Sequence, residues 1–259
     1  MKNPRFILIT GASSGIGEAL ACEYATSGIF LALSGRNQER LDAVAYYCSN
    51  QGAKVSTKVI DVTDKHGMEK WVKAIDKKNP LDLVIANAGI AGDSGVKSSD
   101  LDEELTRQIF NVNIFGVLNT IFPVIKSMRK RKRGKIALVS SIAGFRGLPS
   151  APAYSASKAL VKAYGEALHG VLKKDQVGVS IICPGFVKSR ITEKNSFHMP
   201  LIISSQKAAQ KIRKGLERDK ILIAFPLPFV IFMWCLNLLT TRLADKLLNQ
   251  LLSKNIKRT

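Results

Sequence analysis

The sequence predicts an α/β protein whose single domain is built on a doubly wound, parallel sheet of seven strands. Short apolar runs of strand length alternate along the chain with longer segments of helical periodicity. Several short runs, such as FILIT, LVIANA and VSIIC, are apolar almost throughout, as strands are when helices cover both faces of a sheet. Strict alternation of strands and helices favours right-handed crossovers, and therefore a parallel sheet.

The elements follow in chain order. The predicted strands are Phe6–Thr10, Phe30–Ser34, Lys54–Ile60, Leu81–Ala86, Lys135–Ser140, Val177–Cys183 and Ile221–Phe225. The predicted helices cover residues 15–27, 37–50, 64–77, 100–130, 154–173 and 205–218. We expect residues 1–225 to form the domain and residues 226–259 to form an extension of different composition.

Composition narrows the functional classes. The chain has 259 residues, 46% of them hydrophobic, and a formal net charge of +19. The four cysteines are far apart and form no CxxC pair, so we expect no disulfide framework, no metal site and a reducing compartment. The N-terminal run FILI is too short for a signal peptide, which favours a cytoplasmic location.

The high charge permits an acidic partner, such as nucleic acid, an anionic membrane or a phosphorylated ligand. The densest basic run, RKRKR at 129–133, contains no aromatic residue on which bases could stack. We therefore interpret it as a solvated turn and expect no nucleic-acid partner.

A glycine-rich turn follows the first strand and opens a helix. It reads Thr10-Gly11-Ala12-Ser13-Ser14-Gly15-Ile16-Gly17. In such a context the glycines allow a tight turn, close approach to a pyrophosphate and close packing of helix on strand. The helix N-terminus offers free N–H groups to the phosphates. The turn predicts a dinucleotide site.

The spacing TGxxxGxG resembles that of the classical short-chain dehydrogenase/reductase family, and the resemblance covers residues 5–190, with weaker agreement to 225. It implies a Rossmann fold and an oxidoreductase that moves a hydride between a nicotinamide cofactor and a carbonyl or secondary alcohol. In this chain the implied cofactor contacts at the turn are Thr10, Gly11, Ser13, Ser14, Gly15, Ile16 and Gly17.

The end of the second strand, Gly35-Arg36, predicts the choice of cofactor. An acidic residue there would bind the ribose 2′-OH, whereas an Arg accommodates a 2′-phosphate. Arg36 therefore predicts a preference for NADP(H), with NAD(H) still open. The resemblance also implies cofactor contacts at two further strand ends, from Asp61, Val62, Asn87, Ala88 and Gly89.

Tyr154 and Lys158 lie four residues apart, on one face of a predicted helix. The resemblance implies that both are catalytic and also touch the cofactor. It maps the family's serine, thirteen residues before the tyrosine, to Ser141, with Ser140 as a structural neighbour. Its VNxxG pattern maps the active-site asparagine to Asn113, where it would bend the helix and hold a water.

The chemistry requires each of these groups. Reducing a ketone needs a proton donor and a group that stabilises the developing oxyanion. A tyrosine pKa is ordinarily about 10, and a nearby Lys158 ammonium together with an oxidised nicotinamide would lower the pKa of Tyr154. We expect Tyr154 to act as acid and base and Ser141 to bind the carbonyl oxygen. Lys158 would hold the nicotinamide ribose, and Asn113 would complete a proton relay.

The loop after the sixth strand completes the predicted cofactor site. Pro184-Gly185-Phe186-Val187-Lys188-Ser189 resembles the family's PGxVxT, with Ser189 in the threonine position. Pro184, Gly185, Val187 and Ser189 would then cover the nicotinamide.

Residues 142–150 and a lid at residues 190–204 should line the substrate. Apolar lid residues indicate a hydrophobic, lipid-like carbonyl compound or alcohol; they are Phe197, Met199, Leu201, Ile202 and Ile203. His198 is interpreted as a lid surface residue rather than a catalyst.

Residues 221–241 carry no charge, but Pro226 and Pro228 would interrupt a membrane span. We expect an apolar helix, then an amphipathic one with a basic tail, forming a peripheral contact with an anionic membrane. An oligomer contact remains the alternative, since the resemblance implies a homodimer or homotetramer.

Two rival functions also remain open: a nucleotide-sugar epimerase or dehydratase, and a non-catalytic NADP(H)-binding regulator.

Overall fold

A computed structural model describes residues 3–92, 102–193, 199–244 and 246–247. Its strands are β1 Phe6–Thr10, β2 Phe30–Gly35, β3 Lys54–Val59, β4 Leu83–Ala86, β5 Gly134–Val139, β6 Val177–Pro184 and β7 Leu222–Phe225. Its α-helices are α1 Gly15–Tyr24, α2 Gln38–Asn50, α3 Lys65–Lys78, α4 Glu103–Phe110, α5 Gly116–Arg131, α6 Pro152–Lys173, α7 Arg190–Glu193, α8 Ser205–Glu217 and α9 Leu227–Leu238.

All seven strands pair in parallel, in the order β3-β2-β1-β4-β5-β6-β7. The order reverses between β1 and β4, where the connections leave in opposite directions. This is the topological switch point at which open α/β sheets bind ligands, outside the carboxyl ends of the strands. The predicted doubly wound, Rossmann-like sheet is confirmed.

Two apolar layers enclose the sheet. On β1, Ile7 and Ile9 belong to one core cluster with α1, α2 and α8, whereas Leu8 between them belongs to a second cluster with α3, α5 and α6. Successive strand side chains point to opposite faces, so a continuous apolar run fills both layers.

The predicted helix 100–130 differs most from the structure. Residues 102–131 form α4, a π-helical turn at Asn111–Phe115, and α5. The wider turn contains Asn113, where the family resemblance predicts a bend, whereas apolar periodicity carries no signal for it. The helix predicted for residues 15–27 ends earlier, at Tyr24.

The basic run at 129–133 lies at the end of α5, where three of its cations bind aspartates. Arg129 pairs with Asp175 at 2.7 Å, Arg131 with Asp76 at 3.0 Å and Arg133 with Asp82 at 2.8 Å. Burial opposes ionisation of Asp76, but hydrogen bonds from Arg131 and Ser127 hold its pKa below the ordinary value. Much of this run therefore serves the fold.

The chain beyond β7 adds a small third core. The apolar helix α9 packs on the segment that follows β5, with Met233 and Leu236 buried against Ile142. Residues 241–244 and 246–247 are helical as well. The predicted amphipathic tail otherwise lies outside the described residues.

Candidate active site

The glycine-rich turn at the end of β1 has little room for side chains. Gly11 adopts φ +66° and Gly15 adopts φ +61°, a region that favours glycine. A Cβ on Gly17 would lie 2.2 Å from the carbonyl oxygen of Gly11, so α1 can approach β1 only without a side chain there. Ser14 is the N-cap of α1, and its side chain makes no capping hydrogen bond. These features leave the first N–H groups of α1 facing the sheet edge.

Asn87, at the end of β4, fastens this turn to the sheet. Its side-chain amide donates to the carbonyl oxygens of Thr10, at 2.9 Å, and Gly11, at 3.2 Å. The Thr10 hydroxyl accepts the backbone N–H groups of Asn87 and Ala88. The predicted site residues of β1 and β4 therefore form one hydrogen-bonded unit across the switch point.

The ends of β2 and β3 place Arg36 and Asp61 side by side. A guanidinium nitrogen of Arg36 lies 3.6 Å from an Asp61 carboxylate oxygen, and the Arg36 side chain is 65% exposed. Asp61 also accepts the backbone N–H and hydroxyl of Thr63. A Cβ on Gly35 would lie 2.8 Å from the Ser13 hydroxyl, which brings the end of β2 against the glycine-rich turn. Val62 is buried against Gly116.

Ser141 and Tyr154 meet at the carboxyl end of β5. Ser141 caps a short 3₁₀ turn at Ile142–Gly144, its hydroxyl accepting the N–H of Ala143 at 3.1 Å. That hydroxyl also donates to the carbonyl of Pro184 at 3.4 Å, and its proximity to the Tyr154 phenol acts to lower the pKa of that phenol. Ser140 points away and donates to the carbonyl of Lys158 at 2.6 Å, as expected of a structural neighbour.

Lys158 is buried at the same strand end, with 4% of its surface exposed. Its ammonium donates to the carbonyl of Val139 at 3.0 Å and lies 5.6 Å from the centroid of the Tyr154 ring. Burial lowers the pKa of Lys158 to about 8, and nearby Cys183 opposes that shift only in part. The amine can therefore gain or lose a proton close to neutral pH.

In the protein alone, the pKa of Tyr154 is raised. The lowering expected when an oxidised nicotinamide is bound stays a prediction. Burial raises the pKa of Tyr154, and Cys183 adds to that effect, while the nearby Ser141 hydroxyl opposes it. Lys158 lies over the face of the ring and directs its ammonium to Val139. The protein side chains alone therefore keep the phenol protonated.

Asn113 is fully buried in the π-helical turn. Its side chain accepts the N–H of Ile90 at 2.8 Å and donates to the Ile90 carbonyl at 2.9 Å and to the Ser157 hydroxyl at 3.0 Å. Ser157 in turn donates to the carbonyl of Tyr154 at 2.7 Å. Asn113 thus joins the segment after β4 to the helix that carries Tyr154 and Lys158. A Cβ on Gly89 would contact both Asn113 and Lys158, at 3.2 and 3.3 Å.

The loop after β6 closes over the glycine-rich turn. A Cβ on Gly15 would lie 3.1 Å from the Cβ of Ser189. Val187 forms a parallel bridge with Ile203, so one side of the lid segment is tied to this loop. Pro184 and Gly185 lie beside β7, where the Gly185 N–H donates to the carbonyl oxygen of Phe225 at 2.7 Å. Phe197 and His198 lie outside the described residues.

Three polar residues of this region were not found from the sequence. Ser157 links Asn113 to α6, and the Thr192 hydroxyl fixes the loop by donating to the carbonyls of Val187 and Ser189 at 2.9 Å. Arg40 lines a cavity of about 520 Å³ together with Ser13, and its buried Nε has no hydrogen-bond partner among the described residues. Only Ser157 carried a local signal, its position one helical turn after Tyr154.

Comparison with known proteins identifies the fold and its chemistry. A family model described as short chain dehydrogenase matches residues 5–199. The chain belongs to this family. An uncharacterised oxidoreductase of Myxococcus xanthus is 39% identical over 223 residues, covering 86% of this chain and 87% of that protein.

Two further matches extend the comparison. An 11-beta-hydroxysteroid dehydrogenase-like protein 4A of Arabidopsis thaliana is 34% identical over 242 residues, covering 90% of this chain and 80% of that protein. A short-chain dehydrogenase of Sphingobium yanoikuyae, solved in complex with NADPH, superposes with a TM-score of 0.79 at 25% identity, covering 86% of this chain and 88% of that one. This short-chain dehydrogenase is thus an oxidoreductase that uses a nicotinamide cofactor.

The residues at the sheet edge fit such a cofactor. The crowded glycines leave backbone N–H groups of α1 for a pyrophosphate, and the exposed Arg36 guanidinium lies at the end of β2. The phenol, the buried amine and the Ser141 hydroxyl lie at β5, next to the switch point. The groups predicted to bind phosphate and to transfer protons therefore lie on the same edge of the sheet.

Proposed function

We propose that this short-chain dehydrogenase is an NADP(H)-dependent oxidoreductase that interconverts a hydrophobic carbonyl compound and the corresponding secondary alcohol. The observation that carries the proposal is the cluster of Ser141, Tyr154 and Lys158 at the end of β5, on the same sheet edge as the glycine-rich turn of β1 and separated from β1 by β4. The bound nicotinamide would supply or accept the hydride.

The side chains divide the remaining work of carbonyl reduction. Tyr154, whose raised pKa keeps it protonated, donates the phenolic proton to the carbonyl oxygen. Ser141 donates a hydrogen bond to the same oxygen as negative charge develops on it. Lys158 can return a proton toward Tyr154, because its own pKa of about 8 lies near neutral pH. Asn113 is a positioning residue that holds α6 through Ser157.

NADP(H) is favoured over NAD(H) by the charge at the end of β2. Arg36 is largely exposed, and no acidic side chain occupies positions 34–37 to repel a 2′-phosphate. Its pairing with Asp61 at 3.6 Å is a weak surface contact that a phosphate can replace. Arg40, with its partnerless Nε near Ser13, adds a second cation on this side.

A hydrophobic substrate fits the apolar side chains beside Ser141. Ile142 is buried against α9, and Phe145 and Phe229 pack around the same small core. A relative named for hydroxysteroid dehydrogenases, which is 34% identical, supports the same substrate class.

The direct test is oxidation of NADPH by the purified protein with a panel of aliphatic, cyclic and steroid ketones, followed by absorbance. Tyr154→Phe should lower turnover by about a thousandfold or more, because the general acid is lost, while NADPH binding is retained. Tyr164→Phe, on the same helix, is the matched control and should keep full activity. Activity of Tyr154→Phe within about tenfold of wild type would refute the assignment.

Cofactor preference is tested by Arg36→Ala. Losing a charge-assisted contact to the 2′-phosphate should raise the KM for NADPH roughly tenfold or more and leave the KM for NADH within about threefold. Lys77→Ala removes one exposed cation from α3 and serves as the control. Equal effects on both cofactors would contradict the role of Arg36.

The two rival functions are distinguished by the same measurements. A regulator without catalytic activity would bind NADPH tightly and oxidise it with no ketone of the panel. An epimerase or dehydratase would convert a nucleotide sugar without net consumption of NADPH.

We propose a homodimer or homotetramer in the cytoplasm. Exposed apolar side chains on α5 and α6 favour self-association; they are Phe122, Leu160 and Val171. Sedimentation of the wild type and of Phe122→Ser measures the oligomeric state directly. A wild type that sediments as a monomer would exclude the proposed assembly.

A further inference from the structure

The outer face of α9 is an apolar stripe. Leu227, Ile231, Trp234 and Leu238 are spaced so that they share one side of the helix. Their exposed fractions are 65%, 52%, 58% and 70%. A contiguous exposed apolar face of this kind marks a surface that is covered in use.

The inner face of α9 is fixed to the candidate active site. Met233 and Leu236 are buried against Ile142, which follows Ser141 directly. Phe229 stacks on Phe186 of the loop after β6, with ring centroids 5.7 Å apart. Whatever covers the outer face is therefore held next to the substrate end of the site.

Two hydrogen bonds also hold this helix in place. Asn237 donates its side-chain amide to the carbonyl of Phe145 at 2.7 Å, and Arg146 donates to the carbonyl of Leu236 at 3.2 Å. The stripe is therefore part of a docked helix and not of a loose tail.

The residues that follow α9 combine apolar and cationic side chains. Leu243 and Leu247 are exposed, while Ala244 between them is buried. Arg242 and Lys246 are exposed beside them. From residue 227 onward the sequence contains one acidic residue, Asp245, and five Lys or Arg residues. Among the described residues, Arg242 and Lys246 place two positive charges shortly after the end of the stripe.

The length of α9 excludes a straight crossing of a membrane. Its 12 residues span about 18 Å, less than the roughly 30 Å of a hydrocarbon core. The longer apolar helical stretch Glu103–Arg131 is partly buried in the fold, where α5 packs against the sheet. Exposed apolar residues flanked by cations on a short helix are typical of a helix that lies in the membrane interface.

We propose that the stripe of Leu227, Ile231, Trp234 and Leu238 docks on an anionic phospholipid bilayer, and that the substrate reaches the active site from that bilayer. The contact itself needs no catalysis, whereas the route of the substrate rests on the proposed function. Charge favours the bilayer over a second copy of the chain, because anionic headgroups attract Arg242 and Lys246, whereas a second copy brings further positive charge to a protein of formal net charge +19.

Vesicle flotation tests the contact. Full-length protein should float with vesicles containing phosphatidylserine and phosphatidylcholine, and less with phosphatidylcholine alone. The triple variant Leu227→Ser, Ile231→Ser, Trp234→Ser should lose about tenfold or more of the bound fraction. Tyr46→Ser, which changes an aromatic residue that is 72% exposed on α2, is the matched control and should float as the wild type does.

A second pair of variants tests whether the cations after α9 contribute to vesicle binding. Arg242→Gln with Lys246→Gln should weaken binding to the anionic vesicles by about tenfold, because each cation adds attraction to the surface. Lys70→Gln with Lys77→Gln removes the same charge from α3 and should have little effect.

Tryptophan fluorescence gives a second measurement that needs no substitution. Of the two tryptophans, Trp71 is buried in the core and Trp234 is exposed. A blue shift on adding anionic vesicles would therefore report the entry of Trp234 into lipid.

The inference is overturned if the wild type fails to float, if its emission is unchanged, or if the triple variant floats equally well. If the wild type is an oligomer that does not bind vesicles and the triple variant is a monomer, the stripe contacts a second copy of the chain instead.

The substrate route is measured with two ketones. The triple variant should reduce a water-soluble ketone at the wild-type rate but lose about tenfold in rate with a long-chain ketone dissolved in the vesicles. Equal rates with both ketones would overturn the route. Failure of the proposed function would look different, since no ketone would be reduced while flotation stayed intact.

Discussion

Two regions flank the same catalytic edge, and they are built with different chemistry. Beside β5, buried polar side chains are tied to the main chain by hydrogen bonds, as Asn113 is to Ile90 and Lys158 is to Val139. At α9, apolar side chains pack against Ile142 on one face and stay exposed on the other. Hydrogen bonds are directional, whereas apolar contacts tolerate a change of shape. The first region is suited to fixing the reaction and the second to fitting the substrate.

Asn113→Leu should give the largest effect of the three changes that test this comparison. It leaves the half-buried N–H and carbonyl of Ile90 without their side-chain partner, while the Ser157 hydroxyl keeps its bond to the Tyr154 carbonyl. Because each unpaired group costs about 1–3 kcal/mol, we expect the free energy of unfolding to fall by about 3 kcal/mol. The kcat should fall by about a hundredfold, as α6 is displaced. Denaturant unfolding and steady-state kinetics measure both.

Asn111→Leu is the control for this change, because it alters an exposed residue of the same π-helical turn. It should leave both quantities close to wild type. Similar losses in the two variants would mean that the turn tolerates no substitution and that hydrogen bonding is not the cause.

Lys158→Met tests whether the stability of the polar region depends on pH. The amine has a pKa of about 8 when folded and about 10.5 when unfolded, so the unfolded chain binds more protons between these values. The wild type should therefore gain stability relative to the variant as pH rises from 8 to 10.5, by at most about 3 kcal/mol. Thermal unfolding of both proteins across this range measures the gain. A difference independent of pH would contradict a buried, partly neutral amine.

Phe229→Leu should give the smallest effect. It removes a ring that stacks on Phe186 and costs about 1 kcal/mol of stability. We expect the KM for bulky ketones to change a few-fold and the kcat for small ketones to stay within about twofold. A large loss of kcat would show that α9 also positions the reacting groups, and the contrast between the two regions would fail.

The strands were predictable because burial on both faces leaves a strong signal. The bounds of β1 agree with the run FILIT, those of β5 are shifted by one residue at both ends, and β6 extends one residue further than predicted. The bend at Asn113 followed from the family resemblance, but apolar periodicity reports neither the π-helical geometry nor the contact of Asn113 with Ile90. The positions of Tyr154 and Lys158 followed from spacing, but the directions of their pKa shifts follow from burial, which spacing does not report.

The 2.2 Å between a Cβ built on Gly17 and the Gly11 oxygen has a consequence for variation of this enzyme. A single added methyl group must push α1 away from β1, and with it every group arranged along that edge. A library randomised at residues 11 and 17 should therefore return glycine alone. The turn keeps its shape because residues 11 and 17 lack the side-chain atoms that any substitution would add.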